Sequence, residues 1–298
     1  MISTATCQDF NIEIALAQAW AWQRYRYHRN SALKDNPGSP YIRAVCDHAT
    51  RIQRLSEGLT AFATTGVQDE VFWLMRPCYE LFASQCLLQF GDVRNRAGAF
   101  MTGDERAEAY WAHMKSCYLR LLVSHPNFSG HTTPRADRDA ARVRLENELQ
   151  SSPYQLNHER PWHNMRLRDA VKTAVRTTST FFADAPLKEL SDDSFEIRVD
   201  YCNFGVHGNS FSSRFLHVEV DPGDYVISDA RTPDDPSWWL LATNLAIRSL
   251  QMLAEEFNQR PLVKALLEQG YQEARANPNR LVPHFPTATL LPELATVQ

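Results

Sequence analysis

Residues 69–90 read DEVFWLMRPCYELFASQCLLQF, and Val71, Leu74, Met75, Cys78, Leu81, Phe82, Gln85 and Leu88 fall on one face of a 3.6-residue period. A run this long at this spacing is an amphipathic α-helix, because strands end sooner and alternate every second residue. Pro77 inside it removes a backbone donor and predicts a kink.

The same period extends outward in both directions. Upstream, residues 10–33 (FNIEIALAQAWAWQRYRYHRNSAL) give a first helix that ends near the breaker Pro37-Gly38. Ser39-Pro40 opens a second, running to about Gly66, with proline tolerated in a first turn. Downstream, Gly103-Asp104-Glu105 is the acidic start of a helix to about Ser124. A loop from Pro126 to Pro134 follows, then a strongly charged amphipathic helix from Pro134 to Gln150 whose polar face is solvated. Further helices are expected around 162–182, after Pro161, and from about Asp193 to beyond His207. The period then changes to two: Phe215, His217 and Glu219, the turn Asp221-Pro222-Gly223-Asp224, and Tyr225 to Ser228 predict a β-hairpin over 215–229. Pro236 starts an apolar helix holding Trp238 to Phe257, and Pro261 starts a last one to about Ala276. The proline-containing tail from Pro278 is expected to lie extended over the body or a neighbouring subunit. The expected fold is all-α, a multi-helix bundle of about eight or more helices with one small hairpin insertion. No Gly/Ser/Pro-rich linker divides it, so residues 1–298 are read as a single helical domain.

Composition agrees with a folded protein: 298 residues, 44% apolar, 22% charged, 11 Gly and 16 Pro. The net charge of -4 divides into +1, -1 and -4 over residues 1–100, 101–200 and 201–298, which argues against general DNA binding or affinity for anionic membranes. The opening MISTATCQDF has no cationic segment before an apolar stretch, so a cytoplasmic location is expected. The most apolar run, Trp238 to Leu253, is broken by Thr243, Asn244, Arg248 and Gln251 and reads as a core helix rather than a membrane span. Cys7, Cys46, Cys78, Cys86, Cys117 and Cys202 form no C-x-x-C pair, and most read as small hydrophobes.

The familiar catalytic patterns are missing. No histidine has a carboxylate three residues before it, which excludes the Glu-x-x-His ligands of a di-iron bundle. His158-Glu159 and His163 approach the zinc-protease pattern, but a spacing of five turns the second ring about 140° away on a helix, and Pro161 interrupts it. Walker A, G-x-G-x-x-G and G-x-S-x-G are absent, so no cofactor and no metal are expected. The segment Arg24-Tyr25-Arg26-Tyr27-His28-Arg29 has the composition of a surface that stacks single-stranded nucleic acid, yet on a helix its residues point in all directions, and packing plus surface is the favoured reading.

Two helices carry polar residues in apolar surroundings. Arg76 and Glu80 are spaced i,i+4 beside Pro77, and Asn203 and His207 are likewise spaced i,i+4, with Tyr201 nearby and Gly205 and Gly208 thinning the side chains around them. The structural alternative is a half-buried Arg76–Glu80 ion pair, with Asn203 and His207 satisfying loop carbonyls and the glycines permitting a tight helix crossing. Arg76-Pro-Cys-Tyr-Glu80 in an early apolar helix, and a Tyr/Asn helix ending Gly-Val-His207-Gly, resemble a broad family of uncharacterised bacterial all-helical proteins known only as domains of unknown function. That resemblance spans about residues 70–258. In that family an Arg-x-x-x-Glu helix precedes one carrying a Ser and a His; here Asn203 stands near the Ser position, and Asp200 where an Arg often precedes the His.

The family resemblance extends to helical ribonucleases of the HEPN class (higher eukaryotes and prokaryotes nucleotide-binding), which use an Arg, four to six residues, then a His. Arg43/His48, Arg106/His113 and Arg120/His125 match that spacing, but 26 arginines and ten histidines predict about 2.6 matches by chance. The resemblance implies a ribonuclease or phosphodiesterase of bacterial stress or phage defence. In it His207 would be the general acid/base, Arg76 the phosphate-stabilising cation, Glu80 its orienting group, and Asn203 and Tyr201 hydrogen-bonding positioners. Its partner would be RNA or a small phosphate-containing ligand. The competing reading is a non-catalytic helical adaptor for a protein partner or small ligand, compatible with a homodimer formed through Trp238-Trp239 and the tail.

Overall fold

The computed structural model describes residues 12–35, 39–65, 71–125, 134–154, 156, 160–183, 190, 217–221, 224–227 and 237–276. Among them are eight helices: α1 (Ile12–Asp35), α2 (Pro40–Thr65), α3 (Val71–Phe90), α4 (Gly103–Ser124), α5 (Arg135–Ser151), α6 (Leu167–Thr177), α7 (Ser237–Glu255) and α8 (Arg260–Ala276). The class is all-α, and apart from α6 the helix bounds lie within a few residues of the periodicity in the sequence. Two short strands, β1 (His217–Asp221) and β2 (Asp224–Ile227), pair antiparallel with His217 opposite Ile227. The segment expected to form a helix from 193 past His207 and the tail from Pro278 lie outside the described residues. No helix among the described residues is long and apolar enough to cross a membrane.

Backbone proximity divides the chain into two compact units, residues 1–37, 48–82 and 188–298 in one, and 38–47 and 83–187 in the other. Helices α2 and α3 each contribute residues to both.

In the first unit, α1 packs against α7 and α8. Its alanines at 15, 17, 19 and 21 are buried, and small side chains of this kind let helices cross closely. A chain of buried amides runs through this core. The Gln53 amide donates to the Ala246 carbonyl at 2.7 Å, the Gln18 amide donates to Gln53, and the Ser56 hydroxyl donates to Gln18 at 3.3 Å. Each of these buried polar side chains therefore has a partner, as burial requires.

Glu57, in α2, is the unit's anomalous carboxyl. Burial pushes it up from its usual 4.5 to about 7, against the opposing pull of Arg26 and Arg54. Because the folded value lies above the unfolded one, the native state holds this proton longer, and the group's contribution to stability falls as pH rises from about 4.5 through 7. Glu57→Gln is accordingly expected to stabilise the protein by about 2 kcal/mol at pH 8 and to leave it nearly unchanged at pH 4.5. Urea titrations of both proteins at the two pH values measure it; equal gains at both would contradict the burial account.

In the second unit, α4 opens on a capping box. The Glu105 amide donates to the Thr102 hydroxyl at 3.3 Å, and the Thr102 amide donates to the Glu105 carboxylate at 2.7 Å, which holds that carboxyl below its ordinary range. Helices α4 and α5 form an antiparallel pair through Leu119, Ala141 and Leu145, flanked by Leu122, Val123 and Leu149, with Lys115 paired to Glu148. The outer face of α5 carries the exposed i,i+4 pairs Arg135–Asp139 and Arg142–Glu146, the solvated face its sequence implies.

Helix α6 begins at Leu167, later than the sequence suggests, because residues 161–164 form a turn. The Asn164 amide donates to the Pro161 carbonyl at 2.8 Å, Asn164 adopts a positive φ of 56°, and the buried Trp162 indole donates to the Ser84 hydroxyl at 2.7 Å. That anchor fixes the ring before a helix can start.

Candidate functional site

The sequence's first pair forms as its spacing dictates. Arg76 Nε donates to Glu80 Oε1 at 3.1 Å, one turn apart on α3, with the side chains 28% and 40% exposed. Met75, Cys78, Tyr79, Leu81 and Phe82 around them are buried. The pair therefore occupies the wet edge of a helix whose described side chains are mostly core, where such a bridge contributes about 0–1 kcal/mol. Tyr201, Asn203 and His207, with Asp200 and the flanking glycines, lie outside the described residues. Arg76 and Glu80 are thus brought to each other, and their relation to His207 is not described.

The three Arg/His matches, equivalent in sequence, separate in structure. Arg43 and His48 both lie within α2, and five residues turn them about 140° apart. Arg43 accordingly is exposed and His48 is buried, so the two face no common ligand. Arg106 and His113 are two turns apart on one face of α4, yet Arg106 is buried and its guanidinium donates to the carbonyls of Leu88, Gln89, Gly91 and Met101. Its donors are engaged by backbone. One ring nitrogen of His113, Nε2, lies 2.8 Å from the Arg160 carbonyl.

Arg120 and His125 differ from both. They are exposed and line one open concavity of about 380 Å³ at the C-terminal end of α4, together with Cys117, Leu121 and Ser124. Within a continuous helix a five-residue spacing would set them on different faces. His125 is the C-cap, however, with extended φ -130° and ψ 91°, its amide donating to the Leu121 carbonyl at 2.9 Å, and the chain leaves the helical path there. The helix terminus also favours cationic side chains, since its last carbonyls carry partial negative charge.

The chemistry available is that of a small anion site with one titratable ring. Arg120 makes no hydrogen bond or ion pair among the described residues, so its forked donors are available to a phosphate or carboxylate. The Cys117 thiol is raised by burial, with Arg120 pulling the other way, and its sulfur stands 3.8 Å from both ring nitrogens of His113. A raised thiol is protonated at neutral pH, which makes Cys117 a wall of the concavity rather than a nucleophile. Cys46, Cys78 and Cys86 are buried as the sequence suggests, and burial drives the Cys86 thiol far up. Among the described residues no group of three His, Cys, Asp or Glu could hold a metal ion.

The sequence alone did not single out this concavity, because its Arg/His pair occurs at the frequency chance predicts. Exposure and the C-cap geometry are the distinguishing signals. No protein-family model, curated protein or solved structure matches this chain.

Proposed function

We propose that this helical protein acts on RNA phosphodiesters, with the Arg120/His125 concavity as its reaction centre. The observation that carries the reading is that, of three Arg/His pairs with ribonuclease-like spacing, this one has both side chains exposed on the wall of a single concavity. Arg120 would stabilise charge developing on the phosphate, His125 would transfer the proton, and Ser124 would orient the substrate by hydrogen bonding. Arg76 and Glu80, with Tyr201, Asn203 and His207, form the alternative centre that the family resemblance implies. In either case the 217–227 strand pair is a small insertion in a helical body.

The decisive experiment incubates wild type, Arg120→Ala, His125→Ala and His207→Ala with labelled total RNA and transfer RNA, with folding of each checked by circular dichroism. Cleavage by wild type that falls about 100-fold or more in folded Arg120→Ala and His125→Ala supports the reading, since a positioned acid/base contributes about 10²–10⁴. Loss in His207→Ala with His125→Ala intact moves the chemistry to the Arg76/His207 set. Absence of cleavage by wild type rejects catalysis and leaves the concavity as a binding site in a non-catalytic helical module.

A further inference from the structure

Helix α1 sorts the Arg24-Tyr25-Arg26-Tyr27-His28-Arg29 segment into two roles. Tyr25 is fully buried, while Tyr27 is 68% exposed and Arg24 and His28 are exposed beside it at i-3 and i+1. Arg24 lies one turn before Tyr27 on the same side of the helix, and His28 lies one turn beyond Arg24. Arg24 lies over the Trp20 ring with its guanidinium carbon 4.2 Å from the centroid, and Arg29 lies over Trp22 at 5.1 Å. Arg24 makes no hydrogen bond among the described residues, so the indole supports the guanidinium without consuming its donors.

Helix α2 brings more positive charge to the same part of the first unit. Arg29 donates to Thr50 at 2.8 Å, and Glu57 stands in the field of both Arg26 and Arg54. Residues 24–34 and 48–57 hold Arg24, Arg26, Arg29, Lys34, Arg51 and Arg54 against a single acid, Glu57. The small net charge of residues 1–100 conceals this concentration, because acidic residues elsewhere in that third offset it. Glu57 itself is held partly protonated near neutrality, which weakens the one opposing charge.

From this juxtaposition we infer that the C-terminal half of α1, with the adjoining arginines of α2, is a binding surface for single-stranded nucleic acid, Tyr27 stacking a base while Arg24, Arg26 and Arg54 engage phosphates. An exposed aromatic among cations favours a single strand, since a duplex offers phosphates but no free base face. Tyr27 is also the only large apolar side chain that this face exposes among the described residues, which leaves nothing to insert into a lipid bilayer. The inference rests on the RNA reading above for the choice of a ribose backbone, and it concerns binding alone.

The test measures fluorescence anisotropy of a labelled 2′-O-methyl oligouridylate, which blocks cleavage through the 2′-hydroxyl and so separates failure of binding from failure of catalysis. Wild type is expected to bind with a slope of log affinity against log salt of about -2, from three phosphate contacts on a single strand. Tyr27→Ala is expected to weaken binding about tenfold and Tyr27→Phe less than twofold, because the stacking ring is retained. Arg24→Ala should reduce the magnitude of the slope by about 0.7. The inference is overturned by no binding by wild type, equal binding of a duplex of the same length, or unchanged affinity in folded Tyr27→Ala. Association with phosphatidylserine vesicles in place of the oligonucleotide also overturns it.

Discussion

Arg106→Ala is expected to lower the unfolding free energy by about 4 kcal/mol. The Arg106 guanidinium donates from Nε to the Leu88 carbonyl at 2.8 Å, from Nη1 to Met101 at 2.7 Å and Gly91 at 3.1 Å, and from Nη2 to Gln89 at 3.2 Å. Leu88 and Gln89 belong to the last turn of α3, whose carbonyls have no intrahelical donors. One side chain thus caps α3 and ties the 91–101 connection to α4, and its charge complements the negative end of the helix dipole. Burial lowers the guanidinium pKa, but an arginine remains charged, so deleting it strands several buried acceptors together. Arg106→Lys should recover less than half the loss, because one ammonium cannot reach acceptors spread around a planar fork. Urea denaturation followed by circular dichroism checks both variants. A loss below about 1 kcal/mol in Arg106→Ala would show that water replaces these contacts.

Gly270→Val is expected to destabilise the first unit by about 3 kcal/mol or more. Gly270 lies on α8 where that helix crosses α1. A Cβ there would stand 2.8 Å from the Ala17 carbonyl oxygen, 3.1 Å from Trp20 Cε3 and 3.2 Å from Ala17 Cα. Two of these neighbours are backbone atoms, which cannot rotate away, so the helices must separate. Gly270→Ala tests the same contact more gently: alanine gains about 1 kcal/mol of helix propensity, and the clash must exceed that for the variant to be less stable than wild type. Urea denaturation midpoints of the two variants measure the cost of the crossing. A Gly270→Ala protein more stable than wild type would show that the crossing relaxes at little cost.

These residues mark where the sequence became silent. Its acidic start placed α4 from Gly103 to about Ser124, and the capping box at Thr102 adjoins that start. It matched Arg106 with His113 as a ribonuclease-like pair, whereas the fold places Arg106 among carbonyls as far away in sequence as Leu88. It ranked Arg120/His125 no higher than the other matches, and the C-cap conformation of His125 joined them in one concavity. It did not separate Cys117 from the buried cysteines, and the fold leaves that thiol half-exposed beside His113. It gave Arg76 and Glu80 their mutual spacing, and the ion pair formed accordingly because both partners sit one turn apart on the same helix.

By itself, then, the sequence determined the helical class, the approximate spans of most described helices and the local Arg76–Glu80 pair, since each depends on residues within about two turns of one another. Only the tertiary structure decided that Tyr25 is core while Tyr27 is surface, that Gly270 meets Ala17, and that Arg106 is a helix cap. Those outcomes depend on which distant segments exclude water from a side chain. Chain spacing alone does not specify that, because helices of similar pattern can bury either neighbour against a different partner.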